Sequence, residues 1–463
     1  MNALMLRLYS LLMWLAQPAL RRKLARRSQR EPGYAEAAEE RFGRYTQPTE
    51  VASELVWLHA VSLGETRTAA VLLKGVRTQY PGLRVLLTHG TATGRAEGAA
   101  LLQAGDVQVW QPWDSAAAVV GFFEHFKPRL GLLMETEVWP NIVAAARARA
   151  VPLLLVNARL SEKSLLQALR FAPLSYPAYS ALSAVYAQTD DDAGRFSQLG
   201  APVAGVFGNL KFDAAPSESQ QAEGRAWRRA LARPVVMFAS SRDGEESDFF
   251  EQITALTNGG RAQAAINSVA DESSVMPKFL IVPRHPQRFD EVQALAEQRG
   301  LRVSRRSSWL AGPADNQQAL AADVWLGDSL GEMALYYALS DVALLGGSFA
   351  PLGGQNLIEA AACGCPIVMG PHTFNFTEAA ELAQTAGAAR RAADLPEAMR
   401  SAMALLERPQ VRQAAVTASL AFAAANRGAT QRTLKALEPF FQVGPQRFQV
   451  NKETQQHSVS ATR

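Results

Sequence analysis

The stretch that decides the fold is Val342–Glu359, VALLGGSFAPLGGQNLIE. An unbroken apolar run, Val342–Leu345, leads into Gly346-Gly347, a proline-containing turn, Gly353-Gly354, and then Gln355, Asn356 and a helix-like Leu357-Ile358-Glu359. A run without alternation is the signature of a strand buried on both faces, as in a parallel sheet. Glycines placed after such a strand let backbone approach closely, and the helix start that follows attracts an anion. The same logic recurs far upstream, where Val56–Ala60 runs into Ser62-Leu63-Gly64-Glu65. Two such sites in a chain of 463 residues predict two α/β domains facing a shared cleft, an arrangement suited to group transfer between two bound molecules.

Working outward, apolar runs at Leu55–Leu58, Val85–Leu87, Val107–Trp110, Leu130–Met134, Pro152–Val156, Ala184–Ala187 and Val203–Val206 read as strands of a first domain. A second series begins at Pro234–Ala239 and continues through Phe279–Val282, Arg302–Ser304, Val324–Leu326, Val342–Leu345 and Pro366–Met369. Ala- and Leu-rich stretches such as Thr66–Tyr80 separate the runs at βαβ spacing. The domain boundary is placed near residue 217, and the stretch 256–274, rich in Gly, Ala, Asn and Gln, reads as a surface insertion. A helical pattern runs from Phe376 through Phe422, and the end from about Val443 is polar and expected to be disordered. This divides the chain into 1–30, 31–217, 218–425 and a partly disordered extension 426–463.

The formal charge of +4 is slight for this length, and neither zinc-finger spacing nor an RNA-binding signature is present, so no nucleic-acid partner is expected. Cys363 and Cys365 stand too close for an ordinary framework disulfide and have no partner ligands for zinc. The positive charge is concentrated in RRKLARRSQR, residues 21–30, directly after the apolar stretch Leu8–Leu20. That stretch is shorter than the ~20 apolar residues a spanning helix needs. Its charges follow rather than precede it, unlike a signal peptide. An interfacial helix with a polybasic flank, held to an anionic membrane surface, fits the pattern. A soluble amphipathic helix packed on the body is the alternative.

Polar residues gather just after the predicted strands. Ser62, Gly64 and Glu65 follow the first. A carboxylate there can take a proton from an attacking hydroxyl, or can simply satisfy the helix start. Thr91, Thr93 and Gly94 form a second turn fit for an anion, sugar oxygens or plain helix capping. Glu135 and Glu137 share a face if the strand persists and diverge if a turn intervenes. Asn157 and Arg159 close the next strand. Downstream, Ser240 and Arg242, then Arg284, offer hydroxyl and guanidinium groups for an anion, with surface ion pairs as the ordinary alternative. Asp328, Gly331 and Glu332 form another polar turn, and Gly353, Gly354, Gln355 and Asn356 lead into the helix of Glu359, which can accept from ribose hydroxyls.

Taken in order, several motifs carry a resemblance: His59–Glu65, Thr91–Gly94, Met134–Asn141, Asn157–Ser161, Gly208–Asp213, Pro283–Pro286, Asp328–Glu332, Gly346–Glu359, Gly370-Pro371 and Asn375-Phe376. The chain resembles the 3-deoxy-D-manno-octulosonic acid (Kdo) transferases of bacterial lipopolysaccharide synthesis over roughly residues 5–425. The resemblance implies an α/β GT-B glycosyltransferase, two Rossmann-like domains facing a central cleft, with an N-terminal membrane-associated helix at the cytoplasmic side of the inner membrane. It implies inverting transfer from CMP-Kdo to lipid IVA or Kdo-lipid IVA, with no metal or other cofactor. Glu65 matches the family's general base. Ser62, Gly64, Thr91, Thr93, Gly94, Glu135, Glu137, Asn157 and Arg159 fall to the acceptor side. Ser240, Arg242, Arg284, Asp328, Gly331, Glu332, Gly353, Gly354, Gln355, Asn356 and Glu359 fall to the donor side. Three positions depart from the family pattern: Gln355 and Arg242 each stand where histidine is common, and Ala360 where proline is. A glycosyltransferase using another nucleotide sugar and a polar acceptor, or a binding protein without turnover, is the alternative reading.

Overall fold

The computed structural model describes residues 3–50, 54–266 and 276–442. They form two compact units, one comprising residues up to Asp213 together with the chain from Arg427, the other Ala214–Asn426.

The first unit holds β1 (Leu55–His59), β2 (Arg84–His89), β3 (Val107–Trp110), β4 (Leu130–Met134), β5 (Leu153–Ala158), β6 (Ala184–Ala187) and β7 (Val203–Val206). All pairs are parallel, in the order β3-β2-β1-β4-β5-β6-β7. The two faces of β1 bury different cores, as period 2 requires. Leu55 and Trp57 pack with Phe122, Phe123 and Phe126, whereas Val56 and Leu58 pack with Leu72, Leu73 and Val76. The second core also takes Leu434, Leu437 and Phe441 from the helix Ala429–Gln442. The sequence reading set 426–463 apart as an extension; instead its helical part completes the first unit. Asp213 holds that helix at its start, accepting from the Gly428 amide at 2.6 Å and from that of Thr430. Residues 443–463 lie outside the described residues.

Residues 31–50, polar and irregular enough in sequence for a connector or a frayed helix, pack against the first unit through two short 3₁₀ turns, Pro32–Tyr34 and Ala38–Phe42. Arg41 is buried over the Trp110 ring, 4.0 Å from its centroid, and donates to the Gly90 carbonyl at 2.9 Å. The N-terminal helix spans Ala3–Arg30 and is docked by its polar residues. Ser10 donates to Asn141 Oδ1 at 2.8 Å, and Tyr9 bonds Asp114, whose carboxylate accepts the Asn141 and Ile142 amides. Burial pushes the Asp114 carboxyl up to about 6. The opposite side exposes Leu4, Leu8, Leu11, Leu12, Trp14 and Leu15. Among the described residues no helix is long and apolar enough to cross a membrane.

The second unit holds β8 (Val235–Ser241), β9 (Lys278–Pro283), β10 (Val303–Arg305), β11 (Val324–Leu326), β12 (Val342–Leu345), β13 (Ile367–Met369) and β14 (Ala389–Arg391). They are parallel in the order β10-β11-β9-β8-β12-β13-β14. β14 breaks the helical pattern read from Phe376 to Phe422. It is a three-residue edge strand that buries only Ala389, so it leaves no apolar run to read. The stretch 256–274 begins inside the helix Glu245–Ile266, and residues 267–275 lie outside the described residues.

Two helices of this unit meet backbone to backbone at a glycine. A Cβ at Gly224, on the helix Glu218–Ala230, would stand 2.4 Å from the Leu335 carbonyl and 3.1 Å from the Leu339 amide of the helix Met333–Leu339. Neither atom is the end of a flexible side chain, so the helices must part. Gly224→Ala is expected to destabilise this unit by about 2 kcal/mol or more, read as a lowered unfolding midpoint in denaturant; an unchanged midpoint would show that the crossing relaxes freely.

Candidate active site

In each sheet the strand order reverses beside the unit's first strand, and the turns leaving the two strands on either side of that point converge there. In the first unit these strands are β1 and β4. The turn after β1 starts the helix Leu63–Gln79. Ser62 caps it, its Oγ accepting from the Glu65 amide at 3.3 Å and donating to Glu65 Oε1 at 3.0 Å. Glu65 Oε2 accepts the Val61 amide at 2.9 Å. The helix-satisfying role of Glu65 is therefore real. Yet the carboxyl is held above the ordinary range, first by burial and then by Glu135 and Glu137, against the pull of the Val61 amide and the Ser62 hydroxyl. Gly64 is exposed, its carbonyl accepting from Thr68 Oγ1 at 2.9 Å.

The turn after β2 is laced to this one. The Val61 carbonyl accepts from Gly90 and Thr91 amides at 3.0 and 2.9 Å and from Thr91 Oγ1 at 3.1 Å. Thr91 caps the next helix through the Gly94 amide at 3.1 Å, and Thr93 Oγ1 lies 3.4 Å from Thr91 Oγ1. A Cβ at Gly94 would stand 2.9 Å from the Val61 carbonyl, so only glycine permits this approach. His89, at the end of β2, takes the Ala60 carbonyl at 3.0 Å through Nδ1. Burial, then His59, pushes its pKa down to about 3, so the ring is neutral.

After β4 the chain turns at once. Glu135 has φ of 55°, and the two carboxylates part company. Glu135 is 7% exposed and is held by Arg159 Nε at 2.9 Å and Lys211 Nζ at 3.5 Å. Glu137 accepts from Trp139 Nε1 at 2.8 Å and lies 3.7 Å from His59 Nε2. Burial raises the Glu137 carboxyl, but the nearby His59 ring and the Trp139 bond outweigh it and leave it below the ordinary range. His59 is fully buried and fixed at its other nitrogen, 2.8 Å from Thr88 Oγ1. Asn157, with φ of 51°, accepts the Leu210 amide at 2.9 Å, and Gln188 donates to its carbonyl at 2.8 Å. Asn157 thus braces the turn that carries Lys211, while Arg159 points to Glu135.

His59 and Lys211 are participants that sequence reasoning left inside motifs without a role. The signal for His59 was a polar residue closing an apolar run, LVWLH. Lys211 carried no such signal, since its place depends on β7 lying at the sheet edge beyond β5 and β6.

In the second unit the reversal lies between β8 and β12. Ser240 has φ of 56°, and a Cβ at Gly346 would meet its carbonyl oxygen at 2.4 Å, so the two turns touch backbone to backbone. The amides after β12, read from sequence as facing an anion, already hold one. Glu245, 4% exposed, accepts the Gly347 amide at 2.8 Å, the Phe349 and Ala350 amides at 3.2 Å each, and the Arg242 amide at 3.0 Å. The reason is desolvation: a buried carboxylate needs donors, and these were nearest. The positive charge beside this turn comes from side chains. Arg242 Cγ and Gln355 Nε2 both border Gly347, 3.6 and 3.3 Å from where its Cβ would stand. The Arg284 amide donates to the Ser241 carbonyl at 3.0 Å, which sets this residue beside the same turn. His285 is held below its ordinary pKa first by burial, then by Arg242, Arg284 and Arg288, which marks a basic corner.

Gly353 and Gly354 take φ of 88° and 73° and fold the loop back: the Gly354 amide donates to Gly347 O at 2.8 Å, and the Asn375 amide to Gly353 O at 3.0 Å. Asn356 caps the helix Leu357–Ala362, accepting the Ile358 amide at 3.1 Å, with Glu359 in its first turn. Asp328, Gly331 and Glu332 follow β11, two strands from β8. Asp328 accepts from the Ser307 amide and hydroxyl at 2.8 and 2.6 Å, Glu332 pairs with Arg306 at 3.0 Å, and Gly331 O accepts from Gln220 at 2.8 Å. These three brace neighbouring turns. Cys363 and Cys365 are buried and unpaired, and burial pushes the Cys363 thiol up to about 12. Among the described residues no group of His, Cys, Asp and Glu is arranged to hold a metal ion.

Residues 36–214 match the family model described as 3-deoxy-D-manno-octulosonic-acid transferase (kdotransferase). The 3-deoxy-D-manno-octulosonic acid transferase of Bordetella pertussis is 49% identical over 89% of this chain and 94% of its own. That of Haemophilus influenzae is 29% identical over 94% and 98%. The crystal structure of UDP-GlcNAc 2-epimerase from Neisseria meningitidis, bound to UDP-GlcNAc, covers 83% of this chain and 100% of its own with a TM-score of 0.51 at 15% identity, a likeness of fold alone. On the near-complete match to the Bordetella pertussis protein, the chain belongs to the 3-deoxy-D-manno-octulosonic acid transferase family.

Proposed function

We propose that this chain transfers Kdo to a glucosamine hydroxyl of lipid IVA, or of its Kdo-bearing product, with Glu65 as the general base. The chain is an enzyme, a Kdo transferase that uses CMP-Kdo, by its family. The observation that carries the assignment of the base is Glu65 itself: a half-buried carboxyl at the strand-order reversal, raised above its ordinary range. In the step, the acceptor hydroxyl oxygen forms a bond to Kdo C2 while the bond from C2 to the phosphate oxygen breaks. The hydroxyl proton passes to Glu65, and CMP departs with the electron pair. The basic corner of Arg242 and Arg284 meets the donor's carboxylate and phosphate charge.

The outer face of the N-terminal helix supports a peripheral seat on the cytoplasmic surface of the inner membrane. Its exposed apolar residues lie between Leu4 and Leu15, and the exposed basic residues Arg22, Lys23 and Arg26 follow on the same helix. Apolar contact and attraction to anionic headgroups are thus laid end to end. Such a seat brings an acylated acceptor within reach.

Glu65→Gln keeps size and capping geometry but cannot take a proton. Turnover is expected to fall about a hundredfold or more with CMP affinity retained. In the wild-type enzyme kcat/KM should fall toward acid with a midpoint above the ordinary carboxylate range, because the raised carboxyl must be ionised to act. Near-normal turnover by folded Glu65→Gln would sink the base assignment. Separately, Arg284→Ala and Arg242→Ala should each weaken CMP-Kdo binding about tenfold in calorimetric titration, with unchanged unfolding midpoints; equal affinity in both would return them to the surface. For the membrane, the triple change Leu11→Ser, Trp14→Ser and Leu15→Ser spares the docked side of the helix. It should abolish most cosedimentation with vesicles containing anionic lipid, and cosedimentation equal to wild type would refute the seat.

A further inference from the structure

The loop that leaves β13 in the second unit has little core of its own: of residues 371–376 only Thr373 is buried. Yet the loop lies tightly on the chain that follows β12. A Cβ at Gly370 would stand 2.3 Å from the Ser348 carbonyl oxygen. The Gly370 amide donates to Ser348 Oγ at 2.8 Å, and the His372 amide to the Ser348 carbonyl at 3.0 Å. Further along, Asn375 donates through its amide to the Gly353 carbonyl and through Nδ2 to that of Leu352, each at 3.0 Å. The Gly354 amide in turn bonds Gly347, the glycine bordered by Arg242 and Gln355. A loop without apolar anchors needs a polar one, and the parallel register of β13 with β14 supplies it: Arg391 stands beside Met369, the last residue before the loop. Arg391 Nη1 donates to the Gly370 and Pro371 carbonyls at 3.0 and 3.3 Å and to Thr373 Oγ1 at 3.3 Å, and Nη2 donates to the same hydroxyl at 3.3 Å. Nε donates at 3.3 Å to Gln384 Oε1, on the helix Thr377–Thr385 that follows the loop.

We propose that Arg391 is a positioning residue for the donor: it straps the loop of residues 370–376 onto the glycine turn and so holds that turn in the shape that meets CMP-Kdo. The proposal rests on the reading that the donor is met at the basic corner of Arg242 and Arg284, beside the same turn. Arg391 is exposed on an edge strand, where a long side chain is ordinarily free in water. Here all three of its nitrogens are turned to the loop and to the helix after it. The fork of a guanidinium spans several acceptors at once, which a single ammonium cannot do. The strand ladder fixes its root, since the Ala392 amide donates to the Met369 carbonyl at 2.8 Å. The strap therefore ties a mobile class of element, a surface loop, to a rigid one.

The test is steady-state kinetics and calorimetry of Arg391→Ala, Arg391→Lys and Thr373→Val beside the wild type. In Arg391→Ala the KM for CMP-Kdo should rise about tenfold with kcat within about twofold, and CMP-Kdo affinity in calorimetric titration should fall in step. Arg391→Lys should recover only part of this, because it cannot span loop and helix together. Thr373→Val keeps the side-chain shape and removes the hydroxyl that takes both Nη atoms. It leaves the strand untouched, so it carries the test should Arg391→Ala fold poorly; a rise in KM of about threefold is expected, adding little when combined with Arg391→Ala. Without ligand, hydrogen exchange over residues 346–376 should quicken in Arg391→Ala. A lowered unfolding midpoint with unchanged KM would make Arg391 a brace of the sheet edge and overturn the proposal, as would unchanged exchange over the loop. Donor affinity retained in Arg391→Ala but lost in Arg242→Ala and Arg284→Ala overturns the positioning role alone. Affinity retained in all three overturns the donor reading on which it rests.

Discussion

A helix that begins directly after a buried parallel strand has amide groups with no partners, and something must accept from them. Both units answer with a glutamate in the first turn of the helix that follows their first strand. Glu65 turns back on Val61, and Glu245 turns back on Arg242. The outcomes differ because the surroundings differ. Glu245 collects four amides and is sealed, so it ties two turns together and has no lone pair left to give. Glu65 collects one amide and one hydroxyl, remains half-buried and sits among other carboxylates. One position of the fold thus yields a sealed acid in one unit and a half-buried acid, held above its ordinary range, in the other.

The rest of each site follows from this constraint. Where backbone amides are consumed by an internal carboxylate, the positive charge nearby is that of side chains, and in the second unit those are Arg242, Arg284 and Arg288 around His285. Guanidinium groups keep their charge at any working pH, so such a corner responds little to acidity. In the first unit the balance is reversed: the carboxyls of Glu65, Glu135 and Glu137 gather where the strands end.

The strands were legible because most are buried on both faces and read as unbroken apolar runs; Leu130–Met134, Ala184–Ala187 and Val342–Leu345 fall where the sequence places them. β14 was not, because two of its three residues are arginines at the sheet edge. Glu65 was legible through Ser-Leu-Gly-Glu, in which the cap and its reciprocal acid are both local. The separate fates of Glu135 and Glu137 were not, since a spacing of two allows a shared face until the left-handed residue at 135 removes it. Lys211 belongs to a different stretch of chain and reaches its carboxylate only through sheet order, which no local pattern encodes.

The helix Ala429–Gln442 has a consequence for biosynthesis. The first unit lacks Leu434, Leu437 and Phe441 on one face of its sheet until the last described residues have left the ribosome. The second unit, Ala214–Asn426, is by then fully translated. Vectorial synthesis therefore lets the later-coded unit finish its core first, while the unit that begins the chain waits with an apolar sheet face uncovered. The nascent protein carries this exposed face for the whole time it takes to translate Ala214–Asn426.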